Sequence, residues 1–381
     1  MQRENADVKG GFVSMANPFT PTFGIIPPFM AGRESLIEDI SAAFSNGIGD
    51  PNLATIISGA RGTGKTAMLS FMAEEASSQG WIAANTTAAD GMLEDILEQA
   101  TFAARDFLEA LGGRRLKGIS VGQLVGIEWE NETLRAGNWR AQMNVLLDQL
   151  SENDIGLLIT VDEVRANLEE MKHLARVYQH FVREGRKVAL LMAGLPHSVS
   201  GLLSSDDVSF LRRARRHSLG RISDADIRDA MLMTIEQGCR RIAPRALDAA
   251  VQAVDGFPYM MQLVGFRVWA ENPRSEEIAE IDVERGVRLA RKEMVEGIVE
   301  YTYRELSKGD RRFLFAMLPD EKGSFLSDVA KRMGVKSNYA SQYKRRLLEQ
   351  GVIGEPQAGF VRFDMPMLRE YLFEQDSETK W

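Results

Sequence analysis

The segment Ile57-Ser58-Gly59-Ala60-Arg61-Gly62-Thr63-Gly64-Lys65-Thr66 carries the pattern G-x-x-x-x-G-K-[ST] at every fixed position. The chemistry of such a loop is done by backbone. Its glycines let successive N–H groups turn into one concavity, and a helix that follows adds the positive end of its dipole. A polyphosphate fits there. Gly59, Ala60, Arg61, Gly62, Thr63, Gly64, Lys65, Thr66 and Ala67 are therefore the candidates for holding a nucleoside triphosphate, taken to be ATP. Lys65 would reach the β- and γ-phosphates, and the Thr66 hydroxyl would ligate Mg²⁺. The flanks suit the motif, with apolar Leu53 to Ile57 before it and helix-like Ala67 to Ala76 after it.

A second pattern supplies carboxylates. Leu157-Leu158-Ile159-Thr160-Val161 ends in Asp162-Glu163, so both acids leave the C-terminal end of an apolar strand, where ligands sit in open α/β sheets. Asp162 would hold Mg²⁺ through water, and Glu163 would polarise an attacking water. The pair favours hydrolysis over transfer to another substrate. A third pattern, Phe210-Leu211-Arg212-Arg213-Ala214-Arg215-Arg216-His217, offers cations to a charged transition state. Arg213 or Arg216 could serve a neighbouring subunit as an arginine finger; a solvated basic face is the other reading of this cluster.

Elements must place these groups. Leu53–Ser58, Gly80–Asn85, Gly156–Asp162 and Lys187–Ala193 read as strands alternating with amphipathic helices, which predicts a parallel α/β sheet. Residues 1–28, with Pro18, Pro21, Pro27 and Pro28, read as an irregular arm. Residues 29–222 form the expected nucleotide-binding core, with an insert at about 101–150 in which Gly118 to Trp129 suggests a hairpin. Helical segments at 223–238, 244–254, 258–271 and 282–306 make an all-helical lid over 223–304; Pro244 and Pro258 sit at helix openings, and Ser223 with Asp226 is a start signal. In 305–381, Asp310–Met317, Leu326–Met333 and Tyr339–Gln350 read as helices, with a turn over Gly334 to Asn338 and a hairpin from Gly354 to Phe363. That order is a winged helix-turn-helix.

With these residues in hand the chain resembles the AAA+ superfamily of P-loop ATPases, near the origin-recognition-type initiators and the STAND signalling ATPases, over about 18–373. Asn17-Pro18-Phe19 and Pro27 to Glu34 are similar to the segment that leads into the first helix of both groups. The resemblance implies that Gly32, Arg33 and Glu34 lie beside the nucleotide. Gly256-Phe257-Pro258 is similar to the G-x-P element of the lid, which carries Pro258 to the nucleotide. The resemblance also implies departures. Ala193 and Gly194 stand where a γ-phosphate sensor is usual, and Tyr259 stands where an arginine often follows, with Arg267 further along the same helix. Asn85 resembles a residue that restrains the catalytic glutamate, and the missing sensors imply slow turnover.

On the third C-terminal helix Ala340, Tyr343, Leu347 and Leu348 share one face. Ser341, Gln342, Arg345 and Arg346 lie opposite, with Ser337 and Asn338 in the turn and Lys344 flanking. Short polar and basic residues suit major-groove and phosphate contacts, so duplex DNA is the expected partner. Docking to a protein partner is the alternative. Residues 305–374 hold 12 Lys+Arg against 10 Asp+Glu, while the chain as a whole has a net charge of −8, which speaks against a surface that grips nucleic acid everywhere.

A single cysteine, Cys239, excludes an intrachain disulfide, and no apolar run nears the roughly 18 residues of a membrane span. A cytoplasmic protein is expected, with no membrane contact. His173 and His180 lack the acids or cysteines that would complete a metal set. Two functions follow. One is a Mg²⁺-dependent ATPase that forms homo-oligomers and works on DNA as an initiator, loader or transposition helper. The other is a nucleotide-gated regulatory switch.

Overall fold

A computed structural model describes residues 16–22, 24–110 and 132–379. Five strands, β1 (Ala54–Gly59), β2 (Trp81–Thr87), β3 (Gly156–Asp162), β4 (Val188–Gly194) and β5 (Arg215–Leu219), form one sheet in the order β2-β3-β4-β1-β5. Every pairing is parallel. β4 is buried throughout and β3 in all but its last residue, as the unbroken apolar runs require when helices cover both faces. Ile159 and Val161 face a core shared with helices Met92–Ala110, Glu132–Ser151 and Glu169–Arg183. Leu158 faces the opposite core, with helices Glu34–Asn46 and Lys65–Ser78. The predicted hairpin over Gly118 to Trp129 lies outside the described residues.

Apolar composition identifies four strands, and the structure adds β5. Its Arg-rich residues are mostly exposed, because it is an edge strand, so hydrophobic patterning does not reveal it. The arginine cluster therefore divides between the end of a 3₁₀ helix, Asp206–Arg213, and the start of β5.

The segment expected to be all helical contains helices Asp224–Gln237, Pro244–Val254, Pro258–Glu271 and Glu280–Met294. Ser223 caps the first, its hydroxyl accepting from Asp226 N–H at 3.1 Å. The expectation needs one correction: Arg241–Ile242 and Glu277–Ile278 form a short parallel pair. Too few residues take part to leave a period-two signal. The long last helix also changes its winding, passing through a π turn over Val295–Val299 before Glu300–Glu305.

The C-terminal part has helices Lys308–Met317, Leu326–Met333 and Ser337–Glu349 and a three-stranded antiparallel sheet. The sheet's strands are Ser324–Phe325, Ile353–Gln357 and Phe360–Phe363. Helix, helix, turn, helix and hairpin fall in the predicted order; the third helix starts at Ser337, so Ser337 and Asn338 belong to its first turn. Helix Leu368–Thr379 closes the chain. Apolar residues from 222–306 and 313–372 join Phe19 of the arm in one continuous core. Among the described residues no helix is long and apolar enough to cross a membrane.

Candidate functional site

The phosphate loop leaves β1 at Gly59 and enters the helix Lys65–Ser78 at Gly64. Gly62 and Gly64 have φ of 77° and 87°, left-handed values that a side chain disfavours. A methyl group at Gly59 would lie 2.6 Å from Thr63 Oγ1 and 2.8 Å from Leu219 O, so the loop is wound too tightly there for any other residue. Thr63 Oγ1 donates to Ala60 O at 2.8 Å. Lys65 Nζ donates to Gly59 O and Ala60 O at 3.0 and 2.8 Å, folded along the loop. Burial pushes its ammonium down to about 8, although the Asp162 carboxylate pulls the other way.

Sheet order brings the two motifs together. β4 lies between β1 and β3, and the first turn of the helix after β1 spans that gap. Thr66 Oγ1 donates to Asp162 Oδ2 at 2.5 Å, across 96 residues of sequence. Glu163 follows with φ of 51° and its N–H donates to Asp162 Oδ1 at 2.8 Å. A non-glycine residue in that region is uncommon, and such residues cluster at functional sites. Among the described residues no three His, Cys, Asp or Glu are placed to share a metal. A hydroxyl and one carboxylate nevertheless suit Mg²⁺, which keeps several waters and takes its other ligands from phosphate.

Arg61 to Ala67, Asp162 and Glu163 line one wall of a cavity of about 510 Å³. Arg33 and Pro258 also line it, as do Thr20, Pro21, Ile25 and Phe29 and, from the π turn and beyond, Gly297, Ile298 and Tyr301. Pro258 opens its helix beside the loop, and Tyr259 N–H donates to Gly62 O at 3.3 Å. Gly32 has φ of 64° and packs on Asp226. Arg33 Nη2 donates to Gly220 O at 2.6 Å, tying the start of the helix Glu34–Asn46 to the residue that follows β5; burial holds its guanidinium below the usual range.

Other positions named from the sequence do not line this cavity. Arg267 pairs with Glu293 and is not among the residues lining the cavity, so it does not replace the absent arginine. Asn85 Oδ1 accepts from Thr160 Oγ1 at 2.8 Å, which leaves its side chain engaged on β3. Arg213 and Arg216 are exposed. Arg216 pairs in register with Ile56, three residues before Gly59, so it sits about 10 Å down the sheet from its own phosphate loop.

The C-terminal helix Ser337–Glu349 exposes Ser337, Asn338, Ser341, Gln342 and Arg345, and buries Ala340 and Leu347. Two residues assigned to the reading face need correction. Lys344 Nζ binds Glu355 at 2.7 Å, and Arg346 binds the buried Asp310 through Nε and Nη2 at 3.1 and 2.7 Å. Both cations hold the domain together, because each reaches an acid that sequence distance hides.

Sequence reasoning missed Thr20, Gln262 and the segment around Ile298 in the cavity wall. Gln262 carried a signal: it is a lone amide among Met260, Met261, Leu263 and Val264, all buried.

The order β2-β3-β4-β1-β5 with a phosphate loop after β1 is the fold of the AAA+ P-loop ATPases, of the kind found in origin-recognition proteins. The chain is similar to the ORC2 protein of Aeropyrum pernix, solved as ADPNP-ADP complexes, at 15% identity over 94% of this chain and 98% of that one, with a TM-score of 0.59. It is also similar to a Walker-type ATPase of Pyrococcus abyssi, at 13% identity over 90% and 96% of the two chains, with a TM-score of 0.61. At such identities the likeness is one of fold. Residues 296–372 match a family model described as a domain of unknown function, DUF8462. No curated protein matches the chain.

Proposed function

We propose that this protein is a Mg²⁺-dependent ATPase that couples ATP binding and hydrolysis to self-assembly and to duplex DNA binding through a C-terminal winged helix. The contact of Thr66 with Asp162, beside Glu163 and the phosphate loop, carries this reading. Amides of Gly62 to Ala67 and the Lys65 ammonium hold the triphosphate; Thr66 and Asp162 hold Mg²⁺, which neutralises phosphate charge when bound. Glu163 orients and deprotonates the attacking water. Arg213 and Arg216, distant from their own loop, are suited to act on the site of a neighbouring subunit. Ser337, Asn338, Ser341, Gln342 and Arg345 present the exposed polar face of Ser337–Glu349 to DNA.

Glu163→Gln tests the catalytic assignment. ATP binding should persist while turnover falls by about 10²-fold or more, measured by calorimetry and phosphate release; unchanged turnover removes Glu163 from the mechanism. Duplex titration at two salt concentrations tests the DNA claim, which fails if no affinity appears at low salt with or without ATP.

One observation favours a nucleotide-gated switch that contacts a protein partner. A methyl group at Gly351 would lie 3.5 Å from Ala60 Cα and Arg61 N, so the C-terminal part touches the phosphate loop itself. A switch predicts tight nucleotide retention with little turnover, and rapid turnover stimulated by DNA would exclude it.

A further inference from the structure

We propose that a groove at the end of the sheet remote from the phosphate loop docks a partner protein, through a segment that combines large apolar side chains with carboxylates. This second surface owes nothing to the nucleotide site. The groove encloses about 380 Å³. It lies where β1 and β4 begin, at Ala54 and Val188, so the length of β1, about 17 Å, separates it from the phosphate loop. Leu53, Val188 and Leu211 form a buried apolar floor. Ile48 and Val182 also line it, and they are 60% and 52% exposed. Single exposed aliphatic residues are ordinary on a protein surface, but two on the lips of one apolar hollow mark a contact site. A small ligand inside the hollow would leave both lips in water, whereas a polypeptide laid across it covers them.

Charge decides the kind of segment. Arg183 and Arg213 line the groove and are exposed, and among the described residues neither has an ion-pair partner. Arg186 is already matched by Asp148 and Glu184. Asp50, an acid in the lining, is taken up by Asn52 N–H and the Asn46 amide, at 2.8 Å each. Arg215 and Arg216 carry the positive field onto the exposed edge of β5, in a hollow they share with Asp39 but without an ion pair among the described residues. In a chain of net charge −8, unanswered arginines around apolar surface reverse the sign locally. Carboxylates on a partner restore the balance and set its register, while its apolar side chains supply the dry centre of the contact. Nucleic acid would answer the arginines but leave Ile48 and Val182 without apolar partners. Docking needs no action of Arg213 on a neighbouring subunit.

The test sets the full chain against a display library of short random peptides. Peptides enriched on wild type should carry Phe, Leu or Ile together with Asp or Glu, and Val182→Glu should no longer retain them. Labelled single peptides from that pool, followed by fluorescence anisotropy, should bind Val182→Glu and Ile48→Glu more weakly by about tenfold or more. Arg183→Glu should weaken them likewise, and should bind better than wild type to copies in which Lys replaces their acids. Loss of structure cannot produce that reversal, and all three variants should melt as wild type does, since the changed side chains are exposed. An absence of enriched peptides, enrichment of peptides without carboxylates, or undiminished binding by Val182→Glu overturns the proposal. So does a single-stranded oligonucleotide of thymidylate that binds wild type and loses its affinity in Val182→Glu, which would assign the groove to nucleic acid. A wild-type dimer in sedimentation that Val182→Glu dissolves would assign it to a second copy, and would equally end the claim of a partner protein.

Discussion

Arg346 and Arg345 are neighbours in sequence, and the structure predicts that they fail in different ways when removed. Arg346 grips Asp310, whose side chain is 3% exposed, through two hydrogen bonds of 3.1 and 2.7 Å, and Ser307 Oγ donates to the same carboxylate at 2.5 Å. Arg346→Ala would leave that carboxylate buried with only Ser307 as a side-chain partner. Stripping one member from a fully buried pair costs about 3–5 kcal/mol. The Arg346 side chain is 41% exposed, so solvent screens part of the interaction and about 2 kcal/mol is expected. For a chain of 381 residues that should lower the melting temperature by about 2–3 °C. Among the described residues Arg345 pairs with Glu349 alone, at 3.4 Å, with its side chain 77% exposed. Arg345→Ala should leave stability within about 0.5 kcal/mol and weaken duplex binding, reducing the salt slope by about one. Circular dichroism melts and fluorescence anisotropy with a labelled duplex at two salt concentrations separate the effects. If Arg346→Ala melts like wild type yet loses as much DNA affinity as Arg345→Ala, the partition argued here is wrong.

Three further outcomes are expected. Burial lowers Lys65 to about 8 in the nucleotide-free protein, and a bound polyphosphate favours its charged form. ATP binding should therefore take up protons near that pH and weaken by about tenfold from pH 7 to pH 9. Calorimetry in buffers of different ionisation enthalpy reads the uptake, which Lys65→Arg should abolish. A methyl at Gly265 would lie 2.2 Å from the Phe19 ring, so Gly265→Ala should cost about 1–3 kcal/mol. By lifting the arm that carries Thr20, it should also lower ATP affinity; thermal melts and nucleotide titration check both. Arg213→Ala and Arg216→Ala should reduce hydrolysis only at protein concentrations where sedimentation shows oligomers, and a loss in the monomer range would exclude action on a neighbouring subunit.

Local chemistry made much of the protein legible without coordinates. The glycines of 59–64 and the Lys65-Thr66 pair define a phosphate loop by themselves, because the motif works through contiguous backbone. The unbroken apolar runs of β3 and β4 announce strands buried on both faces. Ser223, Pro244 and Pro258 mark helix starts by capping chemistry that acts within a few residues. β5 escaped, since an exposed edge strand rich in arginine has no hydrophobic signature, and the short pair at Arg241 and Glu277 is too brief for a period to show.

What only the tertiary structure decided is which distant groups meet. Strand order places β4 between β1 and β3 and so sets Asp162 against Thr66, and helix packing hands Arg346 to Asp310 and takes it from the exposed polar face of Ser337–Glu349. Folding the arm over the helix Pro258–Glu271 unites Thr20 with Gln262, 242 residues apart. Periodicity and capping act over a few residues, whereas these contacts are fixed by how whole elements bury their apolar faces, which no local pattern specifies.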